Sequence, residues 1–268
     1  MFRKCLVVTA DDFGLCPSVN RASLTALLKG CVTSLSIMAP APYFKQAVDF
    51  ALKNNIRHVG VHLTLTSEFA NLRYSPVTPK KGVPSLVDKN GYLRKTIYSF
   101  SKHAKPEEIK RELENQIERV IKYKLIPTHL DSHMFALHSR VSKRRDFLPI
   151  ILYLCKKYKL AFRSPFEKEE LFLKRNKIKF ISNSFKGSYD IPNKRKKLEY
   201  DKWIKRLPLG ISEFILHCGY DDDQLKKVTK KSSRRQFDFN YALLADTLNL
   251  LRARRIKLIS WKDALIRL

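Results

Sequence analysis

The apolar positions of this chain fall in short runs separated by amphipathic stretches. The first run, Cys5-Leu6-Val7-Val8, is long enough only for a short buried strand. Residues 17–30 read as a helix, with Pro17 and Ser18 near its start, apolar Val19, Ala22, Leu24, Leu27 and Leu28, and Gly30 as its stop. A strand over 32–38, a helix over 43–54 and a strand over 59–66 continue a βαβαβ rhythm, which argues for parallel strands. Residues 67–105 break the rhythm with Pro76, Pro79, Gly82, Pro84 and Gly91, and predict a long loop or lid over the C-terminal face of the sheet. The rhythm resumes with a helix from Pro106 to about Tyr123, a strand over 127–133, a helix over 143–158 and a strand over 160–163. A short helix over 167–175 and a strand over 178–181 follow. The basic stretch 186–206 has weak periodicity and is expected mostly at the surface. A strand over 212–219, a helix over 236–253 and a last strand over 256–260 close the pattern. No internal repeat and no linker interrupts it, so 1–268 reads as one α/β domain.

Polar residues gather where these strands end. Asp11 and Asp12 follow the first strand, and acidic residues are depleted inside strands, so they are expected at its C-terminal end. Neighbours on an extended chain point to opposite sides, which would let one carboxylate hold a metal while the other handles a proton. An ordinary polar strand end, with Asp12 capping the next helix, fits that stretch equally well. His62 lies in the third strand, His129, Asp131 and His133 in the fourth, and His217 at the end of the strand over 212–219. A lone strand histidine is usually a hydrogen-bonded core residue, but several on one face are hard to explain as packing. His129, Asp131 and His133 alternate and so share a face; one carboxylate and two imidazoles with open positions have the form of a hydrolytic metal site. A nearby carboxylate would take a proton from water, and His217, arriving from another strand, is the candidate to protonate a leaving group. The chemistry suits an amide or an ester.

Composition narrows the classes. Of the 268 residues, 44% are hydrophobic and 11% aromatic, enough for a sizeable core. No apolar run approaches bilayer-spanning length, and the N-terminus enters a strand without a signal-peptide pattern. The five cysteines are scattered, without a CxxC pair, which suits a reducing cytosol; a cytoplasmic protein is expected. The net charge of +28 is uneven: residues 156–206 hold 17 Lys and Arg against 6 Asp and Glu. Lys226-Lys227, Lys230-Lys231 and Arg234-Arg235 form a second cluster. Such a surface attracts polyanions such as phosphorylated sugars or anionic lipid headgroups, although solubility explains it equally well. Without interleaved aromatics it does not resemble a nucleic-acid stacking platform.

The residues also carry a family resemblance. Thr9-Ala10-Asp11-Asp12-Phe13-Gly14-Leu15, then Asn20-Arg21-Ala22 and Val32-Thr33-Ser34, resemble the opening of the YdjC-like carbohydrate deacetylases. Gly60-Val61-His62-Leu63-Thr64-Leu65-Thr66 is similar to their second block and Pro127-Thr128-His129-Leu130-Asp131-Ser132-His133 to their third. Pro84-Ser85-Leu86-Val87-Asp88 and Glu213-Phe214-Ile215-Leu216-His217-Cys218-Gly219-Tyr220 are further matches, in family order across nearly the whole chain. The resemblance implies a distorted TIM-type (β/α) barrel of seven to eight mostly parallel strands. It also implies a metal-dependent hydrolase, with Mg or Zn favoured, that removes acetyl groups from N-acetylated sugars, sometimes phosphorylated or lipid-linked. Position by position it implies Asp12, His62 and His133 as metal ligands, Asp11 as general base and His217 as leaving-group acid. His129 and Asp131 would orient ligands, and Arg163 would either join them or meet substrate. Relatives also suggest a homodimer. The chain departs from the pattern where many relatives carry further histidines: here stand Met134, Phe135, Ala136 and Leu137, with only His138 retained, and Cys218 replaces a usual proline. Two alternatives compete: a metal-dependent hydrolase of another bond, such as a phosphoester, and a non-catalytic basic barrel binding nucleic acid or an anionic membrane.

Overall fold

In the computed structural model, which describes residues 4–185 and 191–268, the N-terminal apolar run does not stop at Val8. Strand β1 spans Lys4–Phe13 and carries Asp11 and Asp12 within it. Helix α1 (Pro17–Lys29) follows, then β2 (Ser34–Ile37), α2 (Phe44–Lys53) and β3 (His58–Leu63). The segment expected as a loop holds two 3-10 turns and a seven-residue helix, α3 (Ile97–His103), whose Thr96 side chain caps Ser99 N–H. Helix α4 (Pro106–Lys122) starts as the sequence implies, with proline and two glutamates in its first turn. Its buried face combines Ile109, Leu113, Ile117 and Val120 with Glu108, Glu112 and Gln116, and these polar residues fasten the preceding segment. Glu112 accepts from the backbone N–H of Val77 and Thr78, Glu108 from Ser85 N–H, and Gln116 pairs with both backbone groups of Thr64.

Strand β4 (Ile126–Ser132) comes next, then α5 (Ser139–Ser142), α6 (Leu148–Tyr158) and β5 (Ala161–Phe162). The helix expected over 143–158 therefore begins later, at Leu148, after a separate single turn. After α7 (Glu167–Arg175) the strand is β6 (Asn183–Phe185), not 178–181; Ile178 and Ile181 are buried without joining the sheet. Residues 186–190 of the basic stretch lie outside the described residues. The remainder contains a thirteen-residue helix, α8 (Asn193–Lys205), that buries Lys196, Tyr200 and Ile204 at four-residue spacing. A buried lysine on the inner face hides the helical period. Strand β7 (Gly210–Leu216) leads to α9 (Asp223–Val228), and the helix expected over 236–253 is two, α10 (Ser232–Leu243) and α11 (Ala245–Ala253), parted at Leu244. Strand β8 (Lys257–Leu258) and α12 (Trp261–Leu265), closed by a Ser260–Asp263 capping box, end the chain.

All pairings between strands are parallel. The order β5-β4-β3-β2-β1-β7-β6 places β1 near the centre, and β8 pairs with β1 over Cys5 and Leu6, ahead of the part that meets β2. With helices around this curled sheet, the fold is a distorted TIM-type barrel. In such folds the C-terminal strand ends form one rim, and β1, β3, β4 and β7 deliver their polar residues there. All five cysteines are buried free thiols, and no described helix is long and apolar enough to cross a membrane.

Below the rim the barrel is tightly filled. The Trp261 indole stacks on His129 at 4.1 Å and 17°. Gly60 also lies so close that an added Cβ would sit 2.4 Å from His129 Cε1. With Trp261 stacked on its ring and Gly60 against it, His129 is closely packed. Gly60→Ala is expected to lower unfolding free energy by about 1–3 kcal/mol, the usual cost of overpacking. Urea denaturation measures this; a wild-type midpoint would show that His129 moves freely.

Candidate metal and catalytic site

Strand β1 enters the rim with a break in its pairing. Thr9 and Ala10 pair with Ser34 and Leu35, but Phe13, not Asp12, pairs with Ile37. The extra residue is a bulge, and Asp12 takes up a left-handed conformation, with φ of 65°. The bulge overturns simple alternation. Asp12 Oδ1 lies 3.2 Å from His62 Nε2, and Asp11 Oδ2 lies 4.0 Å from His62 Nδ1, so both carboxylates bracket one imidazole. Asp12 does not act as a helix cap: the position before α1 is Cys16.

His133 completes a triangle. Its Nδ1 is 3.2 Å from Asp12 Oδ1 and 3.2 Å from His62 Nε2. It stands just past β4, in a tight turn where Met134 and Phe135 both have positive φ. The other nitrogen of each histidine meets a carboxylate, which can only accept. His62 Nδ1–H donates to Asp131 Oδ1, and His133 Nε2–H donates to Glu68, 3.1 Å from each oxygen. When both rings are neutral, these bonds leave the lone pairs of His62 Nε2 and His133 Nδ1 directed toward each other and Asp12 Oδ1. That oxygen is buried and makes no well-angled hydrogen bond. Three buried ligand atoms converging within hydrogen-bond distance of one another are a cation site in form. Their 3.2 Å spacing matches the edge of a tetrahedron with metal–ligand bonds of about 2 Å. The carboxylate partner on each histidine is the usual support of metal ligands. The residues present therefore fit a divalent ion.

The electrostatics agree. Burial opposes charge on both imidazoles, yet Asp131, Asp11 and Asp12 hold His62 well above its usual range. Glu68 and Asp12 likewise raise His133 to about 9. Burial resists ionisation of Asp12 as well, but the Arg235 guanidinium and the two imidazoles keep it well below the usual carboxylate range. The pocket is built to hold positive charge.

The supporting residues are buried and cross-linked. Arg163 donates to Asp11 through both terminal nitrogens, at 2.7 and 2.9 Å, and through Nε to Glu213 at 3.0 Å. Its Nη2 is 3.3 Å from Asp131 Oδ2, and the residue is 2% exposed, so its guanidinium is engaged with three acids behind the rim. Asp131 accepts in addition from Ser36 at 2.6 Å and from His129 Nε2 at 3.1 Å. His129, Asp131 and His133, expected to share one face as a ligand set, are thus divided: the first two face each other, and only His133 joins the triangle. His217, directly after β7, is half-buried, and its backbone N–H donates to Asp238 at 3.0 Å. Burial, aided by Arg235, lowers its pKa against the pull of Asp12 and Asp11, so the imidazole is neutral at pH 7.

Glu68, Ser36, Glu213, Arg235, Asp238 and Trp261 escape the sequence reading. Arg235, read there as part of an exposed basic cluster, is 2% exposed and donates to Asp12 Oδ2 at 2.6 Å. Glu68 lies at the edge of the loop segment with no strand pattern to flag it. Only helical spacing, three residues from Arg235 to Asp238, offered a signal that these two share a face.

A carbohydrate deacetylase of Thermoanaerobacter pseudethanolicus is 28% identical over 260 residues, covering 96% of this chain and 98% of the relative. Another, from Enterococcus faecalis, is 36% identical over 166 residues, 61% of this chain and 60% of its own length. A solved structure from Enterococcus faecalis, described as a cellobiose-phosphate cleavage protein, superposes with a TM-score of 0.84 at 26% identity, over 97% of this chain and 98% of that one. A lactam utilization protein of Thermus thermophilus shares the fold, with a TM-score of 0.54 at 12% identity over 96% and 99% of the two chains. The family described as YdjC-like protein matches residues 5–253, and the chain belongs to it.

Proposed function

We propose that this protein is a divalent-metal-dependent hydrolase that removes N-acetyl groups from an acetylated amino sugar or oligosaccharide. The observation that carries the reading is the triangle of Asp12 Oδ1, His62 Nε2 and His133 Nδ1 beside the clamped Asp11, in a chain whose relatives are named carbohydrate deacetylases. Asp12, His62 and His133 would hold the ion, which when bound supplies Lewis acidity toward the acetamide carbonyl and lowers the pKa of water.

The remaining steps belong to the chain itself. Asp11 accepts the proton of the attacking water; the two Arg163 hydrogen bonds fix its carboxylate and, being donors, leave its remaining lone pairs for that proton. His217, neutral at pH 7, takes up a proton from solvent and as imidazolium passes it to the departing amine, while Asp11 returns its proton to solvent. The lowered pKa of His217 makes the imidazolium a stronger acid than usual and the amine the stronger base, so the transfer runs downhill. Asp131 and Glu68 keep His62 and His133 in the tautomers that aim a lone pair at the ion. The basic surface supports an anionic substrate, such as a phosphorylated sugar.

Acetate release from N-acetylglucosamine oligomers, with and without a 6-phosphate, tests the reading. Wild type is expected to release acetate but no phosphate, and to stop when chelated. Asp11→Asn is expected to cut kcat by about 10²–10⁴-fold, the usual contribution of a positioned base. Full metal-dependent activity in His62→Ala or His133→Ala would overturn the ligand set. The same ligands set a proton balance. With His133 raised to about 9, its imidazole is protonated at pH 7 in the metal-free protein and must lose that proton to coordinate. Titration calorimetry with Zn²⁺ at pH 7, in buffers of different ionisation enthalpy, is expected to show about one proton or more released per ion. No buffer dependence would contradict the site.

A further inference from the structure

Helix α10 reaches the rim at two points one turn apart. Arg235 Nη2 donates to Asp12 Oδ2 at 2.6 Å, while Asp238 Oδ2 accepts the His217 backbone N–H at 3.0 Å. The Arg235 carbonyl also accepts from Gly219 N–H at 3.2 Å, so α10 grips the chain on both sides of Cys218. Asp238 is fully buried, and its Oδ1 accepts from Lys196 Nζ and from Tyr200 OH, each at 2.7 Å. Both partners come from the inner face of α8. A carboxylate held by three donors in a closed interior has little freedom, and neither has the backbone it holds.

We infer that α10 is a positioning element for the proposed reaction. Asp238, locked by Lys196 and Tyr200, sets where His217 stands at the end of β7. Arg235 occupies the second oxygen of Asp12, so only Oδ1 is presented to His62 and His133. This assigns a task to two residues that the basic composition would leave on the surface, Arg235 and Lys196, and through Lys196 to helix α8. The inference rests on the deacetylase reading for the chemistry of His217, but the placement itself is measurable without turnover.

The test compares two triple variants. Lys196→Met with Tyr200→Phe removes the partners of Asp238; in that background Asp238→Asn keeps a carbonyl acceptor for the His217 N–H and Asp238→Leu does not. Replacing a buried ion pair by apolar groups of similar volume usually leaves a fold intact. Amide hydrogen exchange at His217 is expected to be at least about tenfold faster in the Leu variant than in the Asn variant, with the other β7 amides equally protected in both. Acetate release is expected to show kcat at least about tenfold lower in the Leu variant, at similar KM, because orientation and not substrate affinity is lost. Equal exchange and equal kcat in the two folded variants would overturn the role of Asp238. Should the Leu variant not fold, Arg235→Gln carries the test. Its Zn²⁺ dissociation constant is expected to change by about tenfold as Asp12 loses its tether, in line with partners of metal ligands elsewhere. An unchanged constant in the folded variant would overturn the role of α10. If wild type releases no acetate from any acetylated sugar, the deacetylase reading fails, while exchange and metal affinity still decide the placement.

Discussion

The site depends on one irregularity, the bulge at Asp11-Asp12. A regular strand would send these carboxylates to opposite faces, and one would be lost to the barrel wall. The extra residue and the left-handed Asp12 let both approach His62, from its two ring nitrogens. Aspartate tolerates such a conformation better than most residues, but it still costs on the order of 1–3 kcal/mol. The surroundings hold it: Arg163 fixes Asp11 and Arg235 fixes Asp12. Backbone strain and buried charge meet here, since each carboxylate of the bulge is paired with a buried arginine.

Charge balance then explains much of the interior. Asp11, Asp131 and Glu213 share Arg163; Asp12 has Arg235; Asp238 has Lys196. Unpaired, each buried carboxylate would cost several kcal/mol, and removing one partner of such a pair usually costs about 3–5 kcal/mol. The two imidazoles of the triangle sit on the acidic side of this balance, which is why carboxylates raise their proton affinity despite burial. A divalent cation held by the proposed ligands would add counter-charge. Part of the large positive charge of the chain is therefore structural and faces inward, while most of it lies on the surface.

The parallel α/β succession and the polar strand ends were legible because strands alternating with helices leave a strong pattern, and because several histidines recur at one end of it. The departures have physical causes. Alternation cannot reveal a bulge, since the signal is a backbone angle and not a residue type. Helix α8 looked featureless because Lys196 occupies a core position that apolar periodicity would fill with leucine. Ile178 and Ile181 are buried, as their pattern suggests, but burial alone does not make a strand, and the ladder forms at Asn183–Phe185 instead. The pairs Arg163–Asp11, Arg235–Asp12 and Glu68–His133 each span 65 or more residues of the chain, and no local rule reports such pairs.

The claim at the centre is that Asp12, not Asp11, takes the ion, together with His62 and His133. Anomalous diffraction from crystals grown with Zn²⁺ tests it directly. One strong peak is expected at about 2.0–2.2 Å from Asp12 Oδ1, His62 Nε2 and His133 Nδ1, with Asp11 still paired to Arg163. A peak between Asp11, His62 and Asp131, the other cluster of buried ligand atoms at this rim, would contradict it.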